Sequence, residues 1–326
     1  MPELSSAHTL AATQHGVIAR HQALACGLLP QQIARLLRRG EWRRLRAGVY
    51  FVGGDPPRLA ARVMAAQLVY GPRAVAVGPT AARLWRLQGL LPGPGHEHVH
   101  LSVSGSAAAR HDGLRLHGWN VAPGEVTLCN GLRVTTPART LRDTVLLADR
   151  YSAVSILDSA LQNGLVDAAD LPTLEAANAG RRGARRTRDW WRLADGRAQS
   201  TFETRLRLVC HDAGIPPETL QYPVYNGDGR LAGHADLAWP SWGVVVEADG
   251  SEPHSLPGPL FVDRRRQNDI VSSPERLVLL RFTWRDLHHP REIVAMIREA
   301  RDRATAGAER PGDGPPPDGG GAAPCE

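Results

Sequence analysis

The sequence predicts a multidomain fold of mixed α+β and α/β type, on three observations. Near the amino terminus a helical run, a turn, a basic helical run and a short hairpin follow one another. Between residues 58 and 170, helical patterns alternate with strand patterns. Further on, two strand-like runs joined by a turn carry acids and lead into a basic helical run and another apolar strand. A chain of 326 residues is long enough for two or three units with their own cores.

Residues 1–12 read as a flexible polar lead, and residues 13–55 as the first unit. Gly16 to Ala25 has apolar spacing suited to a helix, Gly27-Leu28-Leu29-Pro30 turns the chain, and Pro30 suits the first position of the next helix. From Gln31 to Arg39 the apolar Ile33, Leu36 and Leu37 share one face, and Gly40 stops the run. Trp42 to Phe51 then forms a hairpin with a basic rim. That order is the order of a winged helix-turn-helix. Its six arginines, Arg35, Arg38, Arg39, Arg43, Arg44 and Arg46, fall on the helix and wing that would meet phosphates, which makes them candidate DNA contacts against the alternative of a solvated face.

Residues 56–175 read as a middle α+β unit. Arg58 to Val69 suits a helix, Thr80 to Trp85 starts another, and residues 99–103 and 114–117 alternate as strands do. Thr136-Pro137 supplies an N-cap and a proline at the first helical position, and a further helix follows from Ser152 to Asn163. The alternate histidines His96, His98 and His100 share one strand face, but no nearby fourth ligand completes a metal site, so a histidine-rich strand edge is the preferred reading. Residues 176–199 form a Gly-rich, Arg-rich boundary that serves either as a linker entering a helix or as a DNA-backbone contact. Ser200-Thr201-Phe202-Glu203 has the spacing of a capping box, which accounts for Glu203 by itself.

The acidic hairpin opens the chemistry of residues 200–304. With a turn centred near Ser241 or Trp242, Asp236 and Glu247 lie nearly opposite, and Asp249 shares the face of Glu247. Clustered carboxylates repel unless protons or a hard cation intervene, so these spacings point to Mg²⁺ or Mn²⁺; an ordinary surface turn is the competing reading. The Gly-, Pro- and Ala-rich tail, residues 305–326, cannot bury enough apolar surface to offset its ordering entropy and is expected to be disordered.

Two resemblances sharpen these expectations. Leu24-Ala25-Cys26-Gly27-Leu28, Leu37-Arg38-Arg39-Gly40, Gly48-Val49-Tyr50 and the later Thr136-Pro137-Ala138-Arg139-Thr140-Leu141 resemble AbiEi-type antitoxins over residues 10–170. That likeness implies a winged-helix autoregulator paired with a nucleotidyltransferase-like toxin. Ser200-Thr201-Phe202-Glu203, Asp236, Glu247-Ala248-Asp249-Gly250, His254, Arg266-Gln267-Asn268 and Leu280-Arg281-Phe282 resemble very-short-patch-repair-like endonucleases of the PD-(D/E)XK superfamily over residues 198–300. This second likeness implies a restriction-endonuclease-like α/β domain. In it Asp236 and Glu247 hold the metal, Asp249 adds charge, and Glu203 can face the cluster. Gln267 would orient a water, while Arg264 and Arg266 would meet DNA. The superfamily's lysine is replaced by Asp249, and the chain contains no lysine at all.

Two functions follow as alternatives. One is a DNA-binding, Mg²⁺- or Mn²⁺-dependent endonuclease; the other is an antitoxin-like transcriptional regulator with an inactive nuclease fold and a cognate toxin-like partner. The formal charge of +6 and a pI near 9.7 favour an anionic partner. Cys26, Cys129, Cys210 and Cys325 form no C-x-x-C pair, which argues for reduced thiols in a cytoplasmic protein. No run is long and apolar enough for a membrane span.

Overall fold

The computed structural model describes residues 2–90, 98–105, 108–111, 113–249 and 277–308. The chain divides into two compact units after Thr204.

Unit 1 starts with helix α1 (Pro2–Thr13) where a flexible lead was expected. Its only fully buried residues are Ala7 and Ala11, so the helix docks through small side chains that leave little apolar pattern in the sequence. Next come strand β1 (Val17–Ala19) and helix α2 (Arg20–Ala25), in place of the single helix expected from Gly16 to Ala25. All three β1 residues are buried, and a short run covered on both faces shows no alternation to separate strand from helix. Helix α3 (Pro30–Arg38), strand β2 (Trp42–Arg46) and strand β3 (Val49–Val52) complete a three-stranded sheet in the order β1-β3-β2. Ala7, Ala11, Ile18, Ala23, Ile33, Leu36, Trp42 and Tyr50 fill the space between these helices and one sheet face.

The other sheet face, through Val17, Val49 and Phe51, joins the core of the expected middle unit, so the two pack through one continuous interior. That region contains α4 (Leu59–Tyr70), β4 (Ala74–Ala76), α5 (Gly78–Leu84), β5 (Val99–Val103), β6 (Ala109–His111), β7 (Leu114–His117), β8 (Val126–Cys129) and β9 (Leu132–Thr135). The six strands form one sheet in the order β6-β7-β5-β4-β9-β8, parallel at β5–β7 and β4–β9. Helix α6 (Pro137–Leu147) begins as expected, with Thr136 accepting the Arg139 N–H, and α7 (Arg150–Gln162) packs beside it. After α8 (Leu171–Ala176) the basic segment is folded, not a bare linker. Short helix α9 (Ala184–Thr187) and a 3-10 turn at Arg188–Leu193 bury Thr187 and Trp191.

Helix α10 (Thr201–Asp212) crosses from the first unit into the second. Unit 2 then holds β10 (Thr219–Tyr225), β11 (Leu231–Trp239), β12 (Val244–Asp249), β13 (Val278–Thr283) and α11 (Pro290–Ala308). Its sheet runs β10-β11-β12-β13, antiparallel except for the parallel β12–β13 pair. The β11–β12 turn falls at Pro240–Trp242, where the sequence placed it, and Trp239 donates from its indole to the Pro216 carbonyl at 2.9 Å. Ile293, Ile297 and Ala300 of α11 are buried.

Candidate nucleic-acid interface

Helix α3 is built to present one face. The Gln32 side-chain Oε1 accepts the Leu29 N–H at 2.7 Å and Pro30 stands in the first turn, so the start of the helix is fixed. Ile33 and Leu36 are buried, Leu37 is half-buried, and Gln31, Ala34, Arg35 and Arg38 are all exposed. Those four positions lie at i, i+3, i+4 and i+7 and form one continuous stripe. Gln31 and Ala34 were not singled out from the sequence. The signal that would have found them is their position opposite the Ile33–Leu36–Leu37 face.

The six candidate arginines separate into two kinds. Arg35, Arg38 and Arg44 are exposed, as is Arg39, whose guanidinium lies 3.7 Å from the equally exposed Glu41. Arg43 is tied into the fold instead: its Nη2 donates to the Gly53 and Gly54 carbonyls at 3.4 and 3.3 Å and to the Asp55 carbonyl, and its guanidinium lies 5.4 Å from the Phe51 ring centre. Arg46 turns toward the β6–β7 turn, where a Cβ on Gly113 would stand 3.8 Å from its Nη2. Hydrogen bonds and ring packing thus occupy Arg43, while Arg46 is half-buried.

Residues 8–52, which span this helix and wing, match the family model described as transcriptional regulator, AbiEi antitoxin. This stretch is similar to that regulator domain. In the comparison of whole chains, two Mycobacterium tuberculosis proteins, Uncharacterized protein MT2308 of strain CDC 1551 / Oshkosh and Uncharacterized protein Rv2248 of strain ATCC 25618 / H37Rv, are each 29% identical over 236 residues. Each alignment covers 72% of this chain and 84% of the relative. The crystal structure of RV2827C protein from Mycobacterium tuberculosis aligns over 68% of this chain and 84% of that one, at 17% identity and a TM-score of 0.39. Among the described residues no helix is long and apolar enough to cross a membrane.

Behind the AbiEi-type domain, α6 organises a buried ionic cluster. Arg139 donates through Nε to both Asp143 oxygens, at 3.0 and 2.9 Å, and through Nη1 to Glu125 at 2.5 Å; Arg181 reaches Asp143 at 2.6 Å. Burial works against ionising Glu125, but the Ala122 N–H and then Arg139 and Arg142 hold its carboxyl below the usual range. Nearby, His117 stacks on Trp119 at 3.9 Å and its Nε2 lies 3.0 Å from His100 Nδ1. Desolvation first, and then neighbouring positive groups, bring His100 to about 3 and His117 to about 4.

In unit 2 the β11–β12 pairing runs from Trp239–Val244 to Leu237–Val246, and Asp236 and Glu247 are the next residues beyond that last pair on their two strands. The carboxylates are used within the sheet. Asp236 accepts the Ala248 N–H at 2.7 Å on one oxygen and the Gln221 amide at 3.2 Å on the other. Glu247, buried at 8% exposure, accepts from Arg281 at 2.9 Å across the parallel β12–β13 rung. Asp249 ends β12 opposite Thr283. In unit 1, Glu203 accepts the Gln199 N–H at 2.8 Å while its own N–H donates to Ser200 at 3.1 Å, so it serves as a helix cap.

Mg²⁺ demands near-octahedral oxygen donors. The observed donor set fits it poorly, because a guanidinium stands at Glu247 and N–H groups occupy Asp236. Among the described residues no group of three or more His, Cys, Asp or Glu is gathered to hold a metal. His254, Arg264, Arg266 and Gln267 lie outside the described residues.

Proposed function

We propose that this chain is a DNA-binding transcriptional regulator of the AbiEi antitoxin kind, in which α3 enters the major groove and the wing meets the backbone. The observation that carries this reading is the exposed stripe Gln31, Ala34, Arg35, Arg38 on a helix clamped at its start and backed by Ile33 and Leu36. Arginine matches the O6 and N7 acceptors of guanine, glutamine matches adenine, and alanine offers a methyl contact for thymine. A cognate toxin-like protein is the expected partner, and the cytoplasm the expected place of action. The test is binding of the full chain to the DNA upstream of its own gene, across a salt series. Replacing Arg35 by alanine should cost about 1–3 kcal/mol on the preferred sequence and relax discrimination at one base position. Equal binding to every duplex, unaffected by Arg35→Ala and Arg38→Ala, would reject sequence reading by this helix.

A hydrolytic role for unit 2 as a restriction-endonuclease-like domain stands second. It is supported by the antiparallel pairing of the strands that carry Asp236 and Glu247 and by the order helix, three antiparallel strands, parallel strand, helix. Nicking of DNA by the purified chain with Mn²⁺, lost in Asp236→Ala and in Glu247→Ala, would move this reading into first place.

A further inference from the structure

The arginine-rich segment between α8 and α10 has a role that the winged helix does not absorb. Residues 181–192 contain six arginines against the single acid Asp189. Part of this charge is spent on holding the segment in place. Arg181 pairs with the fully buried Asp143 at 2.6 Å and lies 5.5 Å from the Trp119 ring centre. Arg186 donates to the Leu146 and Ala148 carbonyls at 3.1 and 3.2 Å, and Trp191 is sunk in the core around α6 and α7. Gly183 sits at φ +96°, where an added Cβ would meet the Leu146 carbonyl at 3.4 Å, so the turn into α9 is closely fitted to α6. Arg188 approaches Glu175 at 3.7 Å.

What remains is a fixed backbone that displays Arg182, Arg185 and Arg192 to solvent, none of them in an ion pair among the described residues. A mobile tail can spread like charges apart, but a folded segment cannot, and a polyanion relieves the repulsion by contributing phosphates to several guanidinium forks at once. We infer that Arg182, Arg185 and Arg192 form a second, sequence-independent contact for the phosphate backbone of duplex DNA, additional to α3 and the wing. Duplex DNA is favoured over an acidic protein because the same unit carries the exposed stripe of α3. The inference therefore rests on the DNA-binding reading given above.

The experiment measures the affinity of the full chain for a duplex of arbitrary sequence, several helical turns long, by fluorescence anisotropy over a salt series. It compares the native chain, the triple variant Arg182→Gln, Arg185→Gln, Arg192→Gln, and the triple variant Arg35→Ala, Arg38→Ala, Arg44→Ala. Each phosphate contact contributes roughly 0.9 to the slope of log affinity against log salt, so loss of three should flatten it by roughly 2–3. Flattening in the glutamine variant, with an unchanged thermal midpoint, supports the second contact. An unchanged slope in that variant while the α3–wing variant flattens overturns it and leaves the DNA-binding reading intact. If the native chain shows no salt-dependent DNA affinity, both fail. A glutamine variant that keeps its DNA slope but loses binding to polyglutamate overturns it in favour of an acidic protein partner. Alanine at the same three positions guards against an effect peculiar to glutamine, since the native side chains are exposed and either set should fold.

Discussion

Asp143 is a carboxyl with no exposed surface, and Arg139 and Arg181 both deliver N–H groups to it. Removing one partner of such a buried pair leaves charge uncompensated, at a typical cost of about 3–5 kcal/mol. Arg139→Met is therefore expected to lower the unfolding free energy by about that amount, as measured by urea denaturation; a loss below about 1 kcal/mol would show that Arg181 alone suffices. His100 and His117 give a pH signature. Their folded values, about 3 and about 4, lie below the ordinary 6.5, so the unfolded chain binds more protons in between. Their contribution is complete above about pH 6.5 and is lost as the pH falls through that value toward the folded ones. Unfolding midpoints followed from pH 7 downward should decline, and His117→Gln should make the decline shallower. The sequence exposed the Thr136-Pro137 cap because capping chemistry is local, but it did not reveal that Arg139 is buried, since that depends on Glu125 and Arg181 arriving from distant segments.

At the level of elements, the legible parts were those with a strong period or a strong terminator. Helix α3 has both, with Pro30 at one end, Gly40 at the other and Ile33-Leu36-Leu37 between them. Helix α1 has neither, and β1 is too short and too buried to alternate. The wing strand β2 shows the limit of reading charge from sequence. Arg43 and Arg44 are adjacent and chemically identical, yet strand geometry sends them to opposite faces, one to the carbonyls of residues 53–55 and the other to solvent. Arg43→Ala should cost about 1–2 kcal/mol of stability and leave the salt slope of DNA binding in place. Arg44→Ala should do the reverse, lowering the slope by about 1 with little change in unfolding. If both variants behave alike, the two arginines share one role and the division drawn from burial is wrong.

For the whole molecule, the question is whether unit 2 adds a metal-dependent activity to a regulator. The sequence put Asp236 and Glu247 on two strands joined by a turn, and β11 and β12 do pair around the Pro240–Trp242 turn. It left open what neutralises them. Arg281 was read as part of a buried strand and of the Leu280-Arg281-Phe282 motif, and its ion pair with Glu247 depends on β13 joining β12 in parallel, which spacing does not disclose. Thermal unfolding separates the two possibilities. An ion that binds only the folded chain adds about 2.7 kcal/mol at a hundredfold excess over its dissociation constant. With Arg281 holding Glu247, saturating Mg²⁺ should leave the unfolding of the native chain unchanged. Arg281→Leu should fold less stably, because it removes a guanidinium that donates to the buried Glu247. A Mg²⁺-dependent rise of about 2–3 kcal/mol in the native chain, abolished by Asp236→Asn, would mean instead that the two carboxylates release their present partners and accept the ion.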